Sequence, residues 1–308
     1  MPVLILGTRG SALARWQAEL VTRLLLERRG ELEDLELRTE IIRTRAEKFP
    51  ERAIESIGVG VFTKELDDAL RRREIDFAVH SLKDLPSRID ADLAIAAVLP
   101  RESPFDAFVS REGVALRDLP PGSRIGTGSP RRRAQLLALR SDLEVVPLRG
   151  NVDTRLAKLE TEGLAGTILA HAGLRRLGRE EVVTEVLTID AFVPAVGQGA
   201  IAIVARADDA ETRSVLEAIE DEGTRAEIEA ERAYLAELRG GCQVPAGALA
   251  RRREESLEIV AVIASPDGRE LVRGSLSGAT TDARSLGEEL ARRLLREGGA
   301  RLLEGMRE

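Results

Sequence analysis

One turn in the sequence combines the residue types that bind an anion. Residues 126–132 read Gly-Thr-Gly-Ser-Pro-Arg-Arg, and a short apolar strand is predicted just before them. Ser129 followed by proline is typical of a helix start, where backbone N–H groups and the helix dipole favour negative charge. Arg131, Arg132 and Arg133 in the first helical turn oppose that dipole, so their placement costs stability unless an anion neutralises it.

The surrounding segment is strongly basic. Residues 124–155 contain seven arginines and three acidic residues, a local charge of +4 in a chain of net charge −7. A solvated basic face and a site for a polyanion both account for this excess. A nucleotide phosphate loop is disfavoured because no Gly-Lys-Ser/Thr is present.

A second turn with similar residues follows at 149–155. Arg149 and Arg155 bracket a helix start that Asn151 is predicted to cap, and Gly150 lets a ligand approach the backbone closely. Because open α/β sheets bind ligands at the carboxyl ends of their strands, we expect both turns to face one cleft.

A third group of polar residues follows a buried strand predicted over residues 75–80. This strand delivers Ser81, Lys83 and Asp84 to the carboxyl edge of its sheet. A carboxylate there can stabilise a developing cation or transfer a proton. The alternative is a Lys83–Asp84 surface pair of little consequence.

The single thiol is the fourth candidate. Cys242 follows two glycines, which let the loop bend and a bulky group approach, although a lone cysteine is often a buried small hydrophobe. One cysteine excludes an internal disulfide framework. With only His80 and His171 in the chain, we expect no metal site and no Cys–His nucleophile pair.

Strands and helices are predicted to alternate over the first two thirds of the chain, which favours a parallel α/β sheet. Residues 44–60 lack periodicity and are predicted to form a long surface loop. Residues 100–105 punctuate the chain and suggest a crossing between domains. Near the end, an amphipathic helix over 224–238, a hairpin around Pro266-Asp267-Gly268 and a closing helix over 285–296 predict a small α+β unit.

Composition excludes several classes of protein. No apolar run reaches the roughly 20 residues of a membrane span, and the N-terminus is predicted to be a strand, not a signal peptide, so we expect a cytoplasmic protein. The acidic balance and eight aromatic residues disfavour nucleic-acid binding. The 42 arginines against four lysines reflect either codon composition or carboxylate and phosphate binding.

Taken together, these segments resemble the hydroxymethylbilane synthase (porphobilinogen deaminase) family. Cys242 and its neighbours form the most specific of the matching motifs. The eight motifs occur in family order and spacing, at residues 8–11, 60–66, 78–86, 126–132, 148–151, 172–177, 194–200 and 240–245.

The resemblance implies an α/β fold class, with two periplasmic-binding-protein-like α/β lobes plus a small C-terminal α+β domain. The first lobe is expected at 1–99 and 196–216, the second at 104–192, and the C-terminal domain at 222–308, with the active site between the lobes. The family condenses four porphobilinogen molecules, releases ammonia at each addition, and frees the linear tetrapyrrole by hydrolysis. It is expected to act as a monomer.

The resemblance also implies roles for individual residues. A dipyrromethane cofactor is expected as a thioether on Cys242, with Asp84 as the catalytic residue that contacts the pyrrole N–H groups. The implied cofactor-binding residues are Ser81, Lys83, Thr127, Ser129, Arg131, Arg132, Gly150 and Gln198, the last as a hinge or a contact. The implied substrate-binding residues are Arg9, Ser11, Phe62, Arg149, Arg155 and Arg176.

Three departures from the family pattern occur. Ala46 and Glu47 stand where Gly-Asp is common, and Val59 stands where a lysine is often found, all in the expected lid. Gly128 replaces a serine, which removes one hydroxyl near the cofactor. None of them affects Asp84 or Cys242, so the chemistry is expected to be retained. The alternative hypothesis is a non-catalytic, two-lobed protein that binds small anions.

Overall fold

The computed structural model describes residues 3–28, 35–43, 63–238 and 244–304. The strands within these ranges are β1 (Val3–Thr8), β2 (Glu36–Ile41), β3 (Phe77–Ser81), β4 (Leu93–Val98), β5 (Asp106–Ser110), β6 (Arg124–Gly126), β7 (Glu144–Val146), β8 (Gly166–Ala170), β9 (Glu185–Leu187), β10 (Ile201–Arg206), β11 (Ala246–Arg253), β12 (Ser256–Ala264) and β13 (Leu271–Ala279). The α-helices are α1 (Ala12–Glu27), α2 (Lys64–Arg71), α3 (Pro130–Leu139), α4 (Val152–Thr161), α5 (His171–Arg176), α6 (Ala210–Glu217), α7 (Glu222–Glu237), α8 (Ala283–Leu294) and α9 (Ala300–Glu304).

The first sheet has the strand order β2-β1-β3-β10-β4. β1 is parallel to β2 and β3, whereas β10 is antiparallel to both of its neighbours. Ser11 caps the N-terminus of helix α1, because its hydroxyl accepts a hydrogen bond from the Ala14 N–H at 3.3 Å. Its buried face, which includes Ala18, Val21 and Leu25, belongs to the same apolar core as strands of this sheet.

The second sheet has the order β7-β6-β8-β5-β9. β6 is parallel to β7 and β8, and β5 is antiparallel to β8 and β9. The α/β class is therefore confirmed, but the prediction of a parallel sheet is wrong for β5 and β10. Each of these strands pairs with strands that lie far away in the sequence, and pairing of this kind leaves no periodic signal in the sequence.

The third sheet is the antiparallel β11-β12-β13. The hairpin predicted around residues 266–268 is confirmed, while β11 was not predicted. Helices α7 and α8 contribute to the core of this sheet, and the buried Tyr234 hydroxyl donates to the Val262 carbonyl at 3.0 Å. This is the expected small α+β unit.

The chain folds into two compact units. The first comprises Met1–Glu102 and Ala200–Arg225, and the second comprises Ser103–Gly199 and Ala226–Glu308. The third sheet belongs to the second unit, and the boundaries of a three-domain division remain a prediction. Within the second unit, β11 lies against the segment before β10, because a Cβ on Gly247 would be 2.5 Å from the Pro194 carbonyl and 2.8 Å from that of Val193.

Candidate functional site

Strand β3 places the predicted catalytic carboxylate in the first unit. The strand is buried up to His80, and Leu82, buried in the short 3₁₀ turn that follows, donates its N–H to the Ala200 carbonyl at 3.0 Å. Lys83 and Asp84 complete this turn and are half-buried. A buried strand and an anchored turn thus hold two opposite charges at the carboxyl end of β3.

Four of the predicted site residues line one small cavity of the first unit. Its volume is about 60 Å³, and its lining includes Arg9, Ser11, Gln17, His80, Ser81 and Asp84. Gln17 donates to the Ser81 hydroxyl at 2.8 Å and is only 2% exposed. Sequence reasoning missed this residue, although a glutamine on the apolar face of a helix is a signal that was available.

His80 is a buried imidazole beside this cavity. Its Nε2 atom has no hydrogen-bond partner. Burial, together with the nearby charge of Arg9, lowers the pKa of His80 to about 4. The imidazole is therefore neutral near pH 7 and is not a source of positive charge at the cavity.

The first predicted anion-binding turn joins β6 to α3 in the second unit. The Ser129 hydroxyl accepts from the Arg132 N–H at 3.4 Å and caps the helix, as predicted. Thr127 is buried, donates its N–H to the Val146 carbonyl at 2.9 Å, and accepts from the Ser129 N–H through its hydroxyl at 3.2 Å. The backbone of the turn is thereby fixed by its own side chains.

The second turn lies next to the first. A Cβ on Gly128 would be 3.0 Å from the Leu148 carbonyl, so the two turns pack closely. Gly150 has a φ of +125°, which other residues rarely adopt, and its carbonyl accepts from Arg155 Nε at 2.7 Å. Arg149 is exposed, and Arg155 is half-buried. Both arginines lie at the same edge of the sheet as Ser129.

Arg131 and Arg132 are buried, with 4% and 5% of their surface exposed. Both are paired with Asp106, the first residue of β5: Arg131 Nη1 lies 2.8 Å from Oδ2, and Arg132 Nε lies 2.8 Å from Oδ1. Burial and the neighbouring Arg132 lower the pKa of Arg131, while Asp106 opposes that shift. The three side chains leave one positive charge in excess.

This arrangement bears on one expectation from the sequence. The arginines at the start of α3 are expected to need a neutralising anion, and the fold itself supplies one negative charge, the carboxylate of Asp106, for two buried guanidiniums. The side chain of Arg133 donates instead to the Val145 carbonyl, at 2.8 Å. Asp106 was missed because its two partners are 25 and 26 residues away in the sequence.

Gln198 and Arg176 hold the segment that leads into β10. Gln198 is fully buried, donates to the Pro104 carbonyl at 2.9 Å and to Asp106 Oδ1 at 3.2 Å, and accepts from Arg132 at 3.5 Å. Arg176 Nη2 donates to the Gly199 carbonyl at 2.7 Å. Both side chains bind the protein itself at these atoms, and their predicted roles toward ligands remain predictions.

Two predicted site residues, Phe62 and Cys242, lie outside the described residues, as do Ala46, Glu47 and Val59. The described chain stops at Leu238, one residue after α7, and resumes at Val244, two residues before β11. Among the described residues, no helix is both long and apolar enough to cross a membrane.

Low-identity matches among solved structures include a periplasmic domain and a methionine-binding protein. The periplasmic VFT2 domain of BvgS from Bordetella pertussis is 14% identical, with a TM-score of 0.42 over 71% of this chain and 86% of that chain. The methionine-binding protein MetQ is 17% identical, with a TM-score of 0.42 over 70% of this chain and 89% of that chain.

Comparison with protein families and curated proteins identifies the chain. The family model "Porphobilinogen deaminase, dipyromethane cofactor binding domain" matches residues 4–214, and "Porphobilinogen deaminase, C-terminal domain" matches residues 225–296. The porphobilinogen deaminase of Desulforudis audaxviator is 49% identical over 98% of this chain and 97% of its own length. That of Pelotomaculum thermopropionicum is 46% identical over 98% and 96%. The chain therefore belongs to the porphobilinogen deaminase family, a family of transferases with a dipyrromethane cofactor binding domain.

Proposed function

We propose that this protein is a hydroxymethylbilane synthase. It condenses four porphobilinogen molecules in steps, releases ammonia at each addition, and frees hydroxymethylbilane by hydrolysis. The observation that carries the proposal is the pair of buried arginines, Arg131 and Arg132, which share a single carboxylate. This pair keeps a positive charge inside the second unit, and the substrate and product are polycarboxylates.

The charge of the growing product explains why arginines suit this task. Each pyrrole ring carries an acetate and a propionate, so the bound chain accumulates about a dozen carboxylates, each a partner for a guanidinium fork. Arginine stays protonated even where burial lowers its pKa, whereas a buried lysine loses its charge readily. A hydrogen bond to a charged group contributes roughly 1.5–3 kcal/mol.

The residues of the two turns fit a polycarboxylate cofactor. When bound, the dipyrromethane supplies the pyrrole end to which the first substrate ring is joined. We assign its thioether to Cys242 and its carboxylates to side-chain hydroxyls, backbone N–H groups and cations. These residues are Ser81, Lys83, Thr127, Ser129, Arg131, Arg132, Gly150 and Gln198.

Asp84 acts on the reacting nitrogen and carbon of the substrate. Loss of ammonia from the aminomethyl group leaves a cationic, electrophilic carbon, and ring coupling places positive charge on a pyrrole nitrogen. A fixed carboxylate stabilises both cations and accepts a proton. The half-buried turn that holds Asp84 limits its motion. The substrate is bound by Arg9, Ser11, Phe62, Arg149, Arg155 and Arg176.

The setting of the enzyme is part of the proposal. Porphobilinogen is its small-molecule substrate, and the family resemblance supports a monomer that binds neither nucleic acid nor membrane. The single cysteine excludes internal disulfide bonds and supports a cytoplasmic location.

Intact mass spectrometry tests the function directly. The purified protein should be heavier than its sequence by two pyrrole units and should gain further units when porphobilinogen is added, with release of ammonia. Cys242→Ser should carry no added mass. Reversible binding of porphobilinogen without added mass or ammonia would instead support the non-catalytic anion-binding alternative.

The role of Asp84 has a closely matched control. Leu82-Lys83-Asp84 and Leu116-Arg117-Asp118 both form 3₁₀ turns that end in an aspartate after a cation. Asp84→Asn should retain the two pyrrole units and lose nearly all turnover, whereas Asp118→Asn should turn over like the wild type. Normal turnover by Asp84→Asn would refute the assignment.

A further inference from the structure

Asp106 is a buried carboxylate to which the proposed function gives no role. It begins β5 and is fully buried, and the next residues of the strand, Ala107, Phe108 and Val109, are buried and apolar. β5 is paired on both sides, with β8 and β9. A carboxylate in such a place is strongly destabilising unless it is fully compensated, so its partners define its role.

Both oxygens of Asp106 are bound by side chains of the candidate site. Oδ2 accepts from Arg131 Nη1 at 2.8 Å. Oδ1 accepts from Arg132 Nε at 2.8 Å and from Gln198 Nε2 at 3.2 Å. One carboxylate thus bridges the guanidiniums of two successive residues.

Backbone carbonyls complete the clamp on each guanidinium. Arg131 Nη1 also donates to the Val193 carbonyl at 2.7 Å, and Arg132 Nη1 donates to the Ile168 carbonyl at 2.8 Å. The Ile168 carbonyl belongs to β8, and the Val193 carbonyl lies in the segment between β9 and β10. Each guanidinium therefore has a fixed position and orientation before any ligand is present.

The charge balance distinguishes this cluster from a purely structural one. Arg206, another buried arginine of the described chain, is paired with two carboxylates, Asp76 and Asp209. In that cluster acids outnumber cations. Around Asp106 the ratio is reversed, with two buried cations and one carboxylate. An excess of buried positive charge is costly unless an anionic ligand uses it.

We propose that Asp106 is a positioning residue, which holds Arg131 and Arg132 side by side and leaves one positive charge for a carboxylate of the cofactor. The inference rests on the proposed function. A carboxylate at this position lowers the electrostatic repulsion between the two adjacent guanidiniums. It also fixes their orientation, and its single negative charge neutralises only one of their two positive charges.

The rate of covalent cofactor loading tests the proposal. Protein produced without porphobilinogen is incubated with it, and the gain of two pyrrole units is followed by intact mass on the folded, monodisperse fraction. Asp106→Asn keeps the side-chain shape but removes the charge, and it should load on the order of 10- to 100-fold more slowly because the guanidiniums are displaced. Asp106→Glu restores the charge with a longer arm and should load at an intermediate rate.

Asp76→Asn is the matched control. Asp76 also bonds a buried arginine, at 3.1 Å, and accepts a backbone N–H from Ile5 at 2.8 Å. Its variant should lose stability yet load at the wild-type rate. A purely structural role for Asp106 predicts the same behaviour for Asp106→Asn, so wild-type loading by its folded fraction would overturn the proposal.

Two further outcomes are decisive. If Asp106→Asn does not fold, Asp106→Glu carries the test, and loading at the wild-type rate by that variant would overturn the inference. If the wild type itself acquires no pyrrole unit, the proposed function fails and the inference fails with it. If the wild-type protein acquires two pyrrole units and Asp106→Glu acquires them more slowly, the result supports the proposed function and the role of Asp106.

Discussion

Replacing Arg131 with methionine would remove one guanidinium and leave a flexible apolar chain in its place. The lost hydrogen bonds are those to Asp106 Oδ2 at 2.8 Å and to the Val193 carbonyl at 2.7 Å. Neither acceptor is left alone, because Asp106 keeps Arg132 and the Val193 carbonyl keeps the Gln135 amide at 2.9 Å. The folded variant therefore contains one buried cation paired with one buried carboxylate.

The two effects of this substitution differ in size. A bond to a charged group contributes roughly 1.5–3 kcal/mol, and since both acceptors keep partners we expect a stability loss near the lower end for two bonds, about 3 kcal/mol. The cofactor carboxylate loses one charge-assisted hydrogen bond, and the site loses its excess positive charge. At about 1.4 kcal/mol for each factor of ten, one such bond corresponds to roughly 10- to 150-fold slower loading.

The assay follows the gain of two pyrrole units by intact mass and corrects for the folded fraction by urea unfolding. Arg206→Met is the matched control, because Arg206 is also buried and bonds two backbone carbonyls, those of Leu70 and Ile75. The control should lose stability and load normally. If the folded Arg131→Met protein loads as fast as the wild type, the excess charge has no role in cofactor binding and the reasoning is wrong.

Three further predictions concern stability, each measured as the urea midpoint. Ser129→Ala should lower stability by about 1 kcal/mol because it removes the cap of α3, whereas Ser129→Thr should retain most of it; equal losses in the two variants would contradict the capping role. Burial, followed by the charge of Arg9, lowers the pKa of His80 from 6.5 to about 4, so the unfolded chain takes up the proton first and stability falls as the pH drops from 6.5 to 4. His80→Phe should flatten this part of the profile, and an unchanged slope would refute the assignment. Burial raises the pKa of Asp67 from 3.8 to about 6 against the opposing hydrogen bond with Thr63, so stability falls as the pH rises from 3.8 through 6. Asp67→Asn should therefore raise the midpoint at pH 7, and a lower midpoint would count against this explanation.

Local signals in the sequence were sufficient for local structure. The caps Ser129 and Asn151 are where the residue types predicted them, since a cap depends on atoms only three residues away. The turn that carries Asp84 was likewise predicted from the apolar strand before it. The strand directions of β5 and β10 were not, because pairing across a long connection leaves no periodic trace in either strand.

The candidate site shows the same division. Arginines at a helix start are visible in the sequence, and the resemblance assigned them to cofactor binding. Their partner Asp106 was not found, because an aspartate before an apolar run is common at the start of a strand. Its pairing with the arginines becomes visible only in the folded sheet, where β5 lies beside β8. Gln17 was missed for a related reason: its role depends on Ser81, 64 residues away.

The close contact at Gly247 has a consequence for the order in which the protein matures. β11 lies against the Val193 carbonyl, which binds Arg131, and no side chain larger than hydrogen fits between them. A nascent chain that has emerged only as far as Cys242 lacks the strand that supports this carbonyl. The cysteine is thus synthesised before the arginine pair gains its final support, and we expect the cofactor to be attached only once β11 has been synthesised and has packed against this carbonyl.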